Sequence, residues 1–119
     1  MSKPILCLDF DGVIHSYSSG WQGADVISDP PVDGAMDFIR AALARFDVQI
    51  FSSRSNQPGG LAAMKDWLQM HSDSELAARV GWPVEKPAAF LTIDDRAILF
   101  EGVWPDLEGL LMFKPWNKK

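Results

Sequence analysis

Three short apolar runs, each ending abruptly in polar residues, constrain the fold of this chain more than any other feature. They cover residues 5–10, 48–51 and 90–93. Nearly continuous apolar runs of this length, bounded by turn residues, are typical of strands buried in a parallel sheet. The polar residues at their ends are, in chain order, Asp9, Asp11, Gly12, Ser52, Ser53, Arg54, Asp94 and Asp95.

Helical patterns separate the first two runs and follow the second. Apolar residues recur at helical spacing after Asp33, which we expect to cap a first helix. A second helix is predicted to begin after the Pro-Gly-Gly sequence at 58–60 and to reach about His71. The capping-box spacing of residues 72–75 predicts a further short helix through Arg79.

The alternation of strands and helices predicts a single α/β domain over residues 1–119. We expect a three-layer Rossmann-like fold, with a mainly parallel sheet and helices on both of its faces. A fourth short strand is predicted over 97–100 and a last helical turn or two over 106–112. Ligands of such sheets bind beyond the carboxyl ends of the strands, which is where the polar residues of this sequence lie.

Between the first strand and the first helix lies a long irregular segment, the flap (residues 13–32). It is rich in Gly, Ser and Pro, and a loop of this length in so small a domain usually has a function. His15, Tyr17 and Trp21 are the flap residues best placed to contact a substrate, and an aromatic ring there could stack on a base or ring.

Composition and charge exclude several classes of protein. The net charge of -5 excludes a uniformly basic surface for nucleic acid, although a local patch is compatible with it. Cys7 is the only cysteine, so an intrachain disulfide and a multi-cysteine metal site are both excluded, and we expect Cys7 to be a buried apolar residue. No apolar stretch approaches the roughly 20 residues of a membrane span. The first residues do not resemble a signal peptide, and we expect a cytoplasmic protein without a membrane partner.

Carboxylates from two strand ends would converge in this fold. Asp9 and Asp11 follow the first strand, and Asp94 or Asp95 adds a third carboxylate from another strand end. Unpaired negative charge of this kind is costly, and a hard cation such as Mg²⁺ relieves it through oxygen ligands. Other nearby groups would suit a phosphate: the hydroxyl of Ser52, the ammonium of Lys86 and the open backbone at Gly12.

Four motifs in this order resemble the haloacid dehalogenase superfamily of phosphohydrolases. They are Asp9-Phe10-Asp11-Gly12-Val13, Ile50-Phe51-Ser52-Ser53-Arg54, Lys86-Pro87 and Leu91-Thr92-Ile93-Asp94-Asp95-Arg96-Ala97. The resemblance covers the chain from residue 5 to about residue 100. It implies a Mg²⁺-dependent phosphomonoesterase with an aspartyl-phosphate intermediate, acting on a phosphorylated substrate.

The resemblance also implies a role for each matching residue. Asp9 would attack phosphorus, and Asp11 would protonate the leaving oxygen and then activate water. Asp9, the backbone carbonyl of Asp11, and Asp94 would hold Mg²⁺. The transferring phosphoryl group would be bound by Ser52 and Lys86, with Gly12 close by. Asp95 and Arg54 would lie just behind these groups.

Members of that superfamily commonly carry a cap domain, and neither gap between the motifs here has room for one. We therefore expect a capless protein whose only cover is the flap. An open site suits a phosphate on a large partner, and a phosphatase for nucleic acid ends of the polynucleotide-repair type is the sharper alternative. The acidic composition counts against tight binding of long polymers.

Other functions and assignments remain open. A phospho-accepting receiver domain also combines acidic residues, a hydroxyl and a Lys-Pro, but its lysine comes last, whereas Lys86 precedes Asp94. A non-catalytic phosphate-binding or interaction module would need no change to any of the motifs. The sequence does not decide whether Ser52 or Ser53 provides the phosphate-binding hydroxyl, and it does not determine the substrate or the oligomeric state.

Overall fold

Three strands form one parallel sheet. The computed structural model describes residues 2–118 and places β1 (Ile5–Leu8), β2 (Asp47–Ile50) and β3 (Leu91–Ile93) in the order β2-β1-β3. Leu6 of the central strand lies opposite Val48 of β2 and Leu91 of β3. The predicted α/β class and the parallel sheet are confirmed.

Four helices accompany the sheet, and two of them begin differently from the prediction. They are α1 (Ala35–Leu43), α2 (Gly60–His71), α3 (Ser74–Arg79) and α4 (Leu107–Leu111). The residue that precedes α1 is Gly34 at φ 81°, not a capping Asp33, because the turn needs a left-handed residue there. At α3 the carboxylate of Asp73 accepts a hydrogen bond from the N–H of Leu76 at 2.8 Å, in place of the expected capping box.

One hydrophobic core packs the helices against a single face of the sheet. Alternation along the strands points Leu6 and Leu8 of β1 to the same face as Val48 and Ile50 of β2, which lie opposite them. These four side chains share a buried cluster with residues of three helices: Ile39, Ala42, Leu43, Met64, Trp67, Leu68 and Leu76. The loss of apolar contact with water in this cluster is the main force that holds the sheet and these helices together.

Within residues 2–118, no helix packs on the opposite face of the sheet, contrary to the prediction of helices on both faces. Cys7 points to that face and is buried, as expected. The chain returns from Gly81 to β3 through residues 82–90, which contain no helix in the structure. Lys86 of this segment lines a cavity together with Cys7 and Thr92, so the short return segment takes the place of the second helical layer.

The flap is irregular but its two ends are joined. The N–H of Val32 donates to the carbonyl of Ile14 at 2.8 Å, and the N–H of Ser16 donates to the carbonyl of Pro30 at 2.9 Å. These bonds form a short antiparallel bridge at the base of the flap, directly beside the end of β1.

After β3 the chain continues as the C-terminal arm (residues 96–114), which packs poorly on the rest of the protein. The fourth strand predicted over 97–100 is wrong, since these residues join no strand, while the last helical turn is present as α4. No side chain of the arm is buried. No helix within residues 2–118 is long and apolar enough to cross a membrane.

Candidate functional site

The candidate site lies at the carboxyl ends of β1 and β3. The chain leaves β1 toward β2 on one side of the sheet, whereas β3 lies on its other side, so a crevice opens between the ends of β1 and β3. Asp9 directly follows β1, and Asp94 and Asp95 directly follow β3. The parallel pairing of these two strands therefore brings residues some 85 positions apart in sequence to one edge of the sheet.

Three carboxylates meet in this crevice as the acidic cluster (Asp9, Asp94 and Asp95). One oxygen atom from each lies within 4.8 Å of the other two. Burial, a hydrogen bond with Asp95 and the charge of Asp94 together raise the pKa of Asp9 from 3.8 to about 8. Such a shift means that the protein alone does not neutralise the negative charge. Carboxylate oxygens at this spacing are the donor set that Mg²⁺ or a similar hard cation prefers, so the residues present fit such an ion.

A cavity of about 170 Å³ adjoins the acidic cluster. Its lining combines two carboxylates, three hydroxyls, a thiol and an ammonium group with apolar atoms: Cys7, Asp9, Phe51, Ser52, Ser53, Lys86, Thr92 and Asp94. The volume corresponds to several water molecules at about 30 Å³ each, which leaves room for a group of phosphate size. Burial raises the pKa of the Cys7 thiol, which lowers the fraction of reactive thiolate in this cavity.

A larger cavity of about 300 Å³ lies on the other face of the sheet. Its walls are mostly apolar, formed by residues of β1, the flap and α1, and they include Leu8, Ile14, Phe38 and Ile39. Within residues 2–118, Asp33 is the one acidic residue in its lining, and no basic side chain faces it. We therefore place the candidate chemistry in the smaller cavity, which has both.

The hydroxyl groups after β2 lie at the same edge of the sheet. Ser52 is buried, and its Oγ accepts a hydrogen bond from the N–H of Arg54 at 3.2 Å, which caps the 3₁₀ turn Ser53–Asn56. Its hydroxyl proton remains available for another acceptor. Ser53 is exposed and lines the same cavity. Both serines face the cavity, and the choice between them stays a prediction.

Asp11 is held away from the acidic cluster by two neighbouring side chains. The Nε of Arg54 donates to Oδ2 at 2.9 Å and to Oδ1 at 3.2 Å, and the Nδ1 of His15 lies 2.9 Å from Oδ1. The other ring nitrogen of His15 lies 3.2 Å from the N–H of Asp29 and accepts its hydrogen bond. His15 is therefore the neutral Nδ1–H tautomer, assigned from its partners. The side chain of Asp11 is thus fixed in direction, as a group that transfers protons requires.

Arg54 connects Asp11 to the flap. Its side chain is fully buried, and its Nη1 donates to three flap carbonyls, those of Gly23, Ala24 and Val26, at 2.8 to 3.1 Å. The ring of Trp21 lies over the guanidinium group at 4.7 Å. Sequence reasoning placed Arg54 just behind the metal-binding and phosphate-binding groups, but the carbonyl contacts were missed because backbone oxygens leave no signal in the sequence.

Gly12 brings the backbone close to Asp95. A Cβ atom built at Gly12 would lie 2.2 Å from the Oδ2 of Asp95, and the residue adopts φ +81°. Only glycine allows both this conformation and this approach. On the same turn, the indole N–H of Trp116 donates to the carbonyl of Gly12 at 2.7 Å. Sequence reasoning missed Trp116, since nothing in its spacing relates residue 116 to residue 12.

The three aromatic flap residues differ in their exposure. His15 is 1% exposed and bonded through both nitrogens, so its position supports the orientation of Asp11 and argues against direct contact with a substrate. Tyr17 is partly buried and adopts the unusual φ of 60°. Trp21 is 48% exposed, which makes it the flap residue most able to meet a ligand.

Comparison of this chain with protein-family models, with curated proteins and with solved structures finds no match. The resemblance described for the four motifs therefore rests on the sequence of the chain alone.

Proposed function

We propose that this protein is a Mg²⁺-dependent phosphomonoesterase that acts through an aspartyl-phosphate on Asp9. The observation that carries the proposal is the acidic cluster at the carboxyl edge of a parallel sheet, open to a cavity that also presents Lys86 and two serine hydroxyls. A carboxylate nucleophile, a cation site and a phosphate-binding cation within one crevice are the parts that phosphoryl transfer to an aspartate needs.

The ion would be held by Asp9 and Asp94, with Asp95 next to them and the backbone carbonyl of Asp11 as a further ligand. When bound, Mg²⁺ would favour the ionised form of the carboxylates and offset the negative charge of the phosphoryl oxygens.

The residues of the chain carry out the chemical steps. A carboxylate oxygen of Asp9 attacks phosphorus, and the bond from phosphorus to the substrate oxygen breaks. Asp11 gives its proton to that oxygen, which leaves as an alcohol. Asp11, now ionised, then takes a proton from a water molecule that attacks the phosphorus. The bond between phosphorus and Asp9 breaks, phosphate leaves, and Asp9 is a free carboxylate again. Lys86 and a serine hydroxyl bind the phosphoryl oxygens throughout.

The contacts of Asp11 suit the second half of this cycle, in which its carboxylate accepts a proton from water. Arg54 and His15 fix the carboxylate in one orientation, so no rotamer search precedes proton transfer. A fixed orientation of the Asp11 carboxylate helps more than proximity alone, because the rate of proton transfer falls steeply when donor and acceptor are misaligned.

Hydrolysis of an aryl phosphate tests the proposal. The purified protein is assayed with Mg²⁺ and with a chelator, beside Asp9→Asn and a matched control, Asp47→Asn. Asp47 is an exposed aspartate at the opposite end of the sheet. We expect metal-dependent turnover that Asp9→Asn abolishes and Asp47→Asn leaves unchanged. Turnover that persists in Asp9→Asn would refute the aspartyl-phosphate.

A protein that binds Mg²⁺ without hydrolysing aryl phosphate calls for one more measurement. Beryllium fluoride forms a stable mimic of phosphate on a reactive aspartate. An adduct on Asp9 would support a phosphatase with a larger substrate. The absence of an adduct in a folded, Mg²⁺-bound protein would favour a non-catalytic binding module instead.

A further inference from the structure

The C-terminal arm and the strand before it expose an unusual amount of apolar surface. From residue 81 to residue 114 no side chain is buried. Most of the large apolar side chains that are exposed within residues 2–118 lie in this part of the chain: Phe90, Leu91, Ile93, Ile98, Leu99, Phe100, Val103, Trp104, Leu107, Leu110, Leu111, Met112 and Phe113. An apolar surface of this extent is typical of a protein interface.

The total accessible surface area indicates how much of this apolar surface a partner could cover. The chain exposes 7674 Å², whereas a compact monomer of 13.2 kDa exposes about 6,400 Å². The surplus of about 1,300 Å² exceeds the roughly 800 Å² that each partner buries in a standard interface, and it falls in the range of stable homodimers. The radius of gyration of 14.9 Å likewise exceeds the value of about 13.5 Å for a compact domain of this length.

The sheet is open on the side of the arm. At its other edge, Gly81 continues the sheet: its N–H donates to Val48 and its carbonyl accepts from Ile50, at 2.8 and 2.9 Å. β3 has β1 on one side and, among the described residues, no strand on the other. An unpaired edge strand with exposed Leu91 and Ile93 readily pairs with another strand.

We propose that the edge of β3 and the C-terminal arm bind a second copy of this chain. The β3 strands of two copies can pair antiparallel across a two-fold axis, so that each copy contributes the same surface to the interface.

The interface would also affect the candidate site. The arm begins at the residue after Asp95, so a partner seated on it lies beside the acidic cluster. A chain without a cap domain would gain cover from its partner in this way. The dimer itself does not depend on the proposed enzymatic function.

Sedimentation equilibrium of the full chain, from about 1 to about 200 µM, tests the proposal. We expect a mass of twice 13.2 kDa at the upper concentrations. Leu99→Asp and Leu111→Asp place a charge on side chains that are 84% and 82% exposed on the arm, and each should weaken the dimer at least about 10-fold. The control is Met70→Asp, at a residue that is 76% exposed on α2, and it should leave the dissociation constant within about 2-fold.

A monomer throughout the concentration range would overturn the proposal, as would a dimer that both arm variants leave intact. If neither variant folds by circular dichroism, hydrogen exchange of the unmodified protein replaces them. Amides of residues 90–113 that become protected as the protein is concentrated support the proposal. Protection confined to other residues overturns it.

Discussion

The raised pKa of Asp9 predicts that the metal-free protein loses stability as the pH rises. In the folded chain, burial and the neighbouring carboxylates raise the pKa of Asp9 from 3.8 to about 8. Between these two values the folded protein holds a proton on Asp9 that the unfolded chain has released. The stabilisation from this proton is therefore complete below about pH 4, and it declines with increasing pH until the folded protein also ionises.

The size of the effect follows from proton linkage. One proton bound only by the folded state costs about 1.4 kcal/mol of stability for each pH unit. From pH 5 to pH 7 the free energy of unfolding should thus fall by about 3 kcal/mol through Asp9. For a chain of 119 residues the unfolding entropy is about 0.25 kcal/mol per degree, so the midpoint temperature should fall by about 10 °C.

Thermal unfolding at pH 5, 6 and 7 with a chelator measures this slope. The wild type is compared with Asp9→Asn, which removes the titrating group, and with Asp47→Asn, which removes an exposed aspartate elsewhere. Effects of groups that do not interact with Asp9 cancel in the comparison. Between pH 5 and pH 7 we expect the midpoint temperature of Asp9→Asn to fall by about 10 °C less than that of the other two proteins. Equal slopes in all three would refute the raised pKa and with it the argument that the acidic cluster is short of positive charge.

Three further changes test contacts of the site. Gly12→Ala should push Asp95 aside, because the new Cβ would meet its carboxylate at 2.2 Å. Mg²⁺ should then raise the midpoint temperature of unfolding less in this variant than in the wild type. Arg54→Lys keeps the positive charge but removes the guanidinium group, whose nitrogens join Asp11 to the flap. We expect the free energy of unfolding in denaturant to fall by about 3 kcal/mol and the flap to be cleaved faster by protease. Unchanged values of both would contradict this role of Arg54. Trp116→Phe removes one hydrogen bond and should cost about 1 kcal/mol in the same denaturant assay; a change below about 0.3 kcal/mol would contradict it.

The strands could be predicted from the sequence only where local pattern and pairing agree. The apolar runs at 5–10 and 90–93 became β1 and β3, whereas the similar run at 97–100 formed no strand. A strand needs a neighbour for its backbone groups, and no local pattern reports whether one is available. The prediction of a second helical layer was wrong for another reason. It was expected from the fold class, and residues 82–90 carry no helical pattern of their own.

The site was more predictable than the network behind it. Asp9 and Asp94 each follow a strand, so the parallel sheet alone brings them together. The contacts of Asp11 with His15 and Arg54 depend on the path of the flap, which has no regular structure and therefore no periodicity to read. Sequence reasoning thus predicted which polar groups lie at the strand ends, but it could not show which of them pair with each other.

That pairing determines what the site can bind. Arg54 is the cation most deeply buried near the crevice, and its hydrogen bonds are directed to Asp11 and the flap carbonyls. Among the residues that line the cavity, Lys86 is the one basic group facing Asp9 and Asp94. With Asp95 included, three carboxylates stand against one ammonium. A phosphate would add further negative charge, and Lys86 alone cannot offset it. We therefore expect a cation to bind before a phosphate, so that Mg²⁺ raises the affinity for inorganic phosphate in equilibrium dialysis, and equal binding with and without the ion would contradict this order.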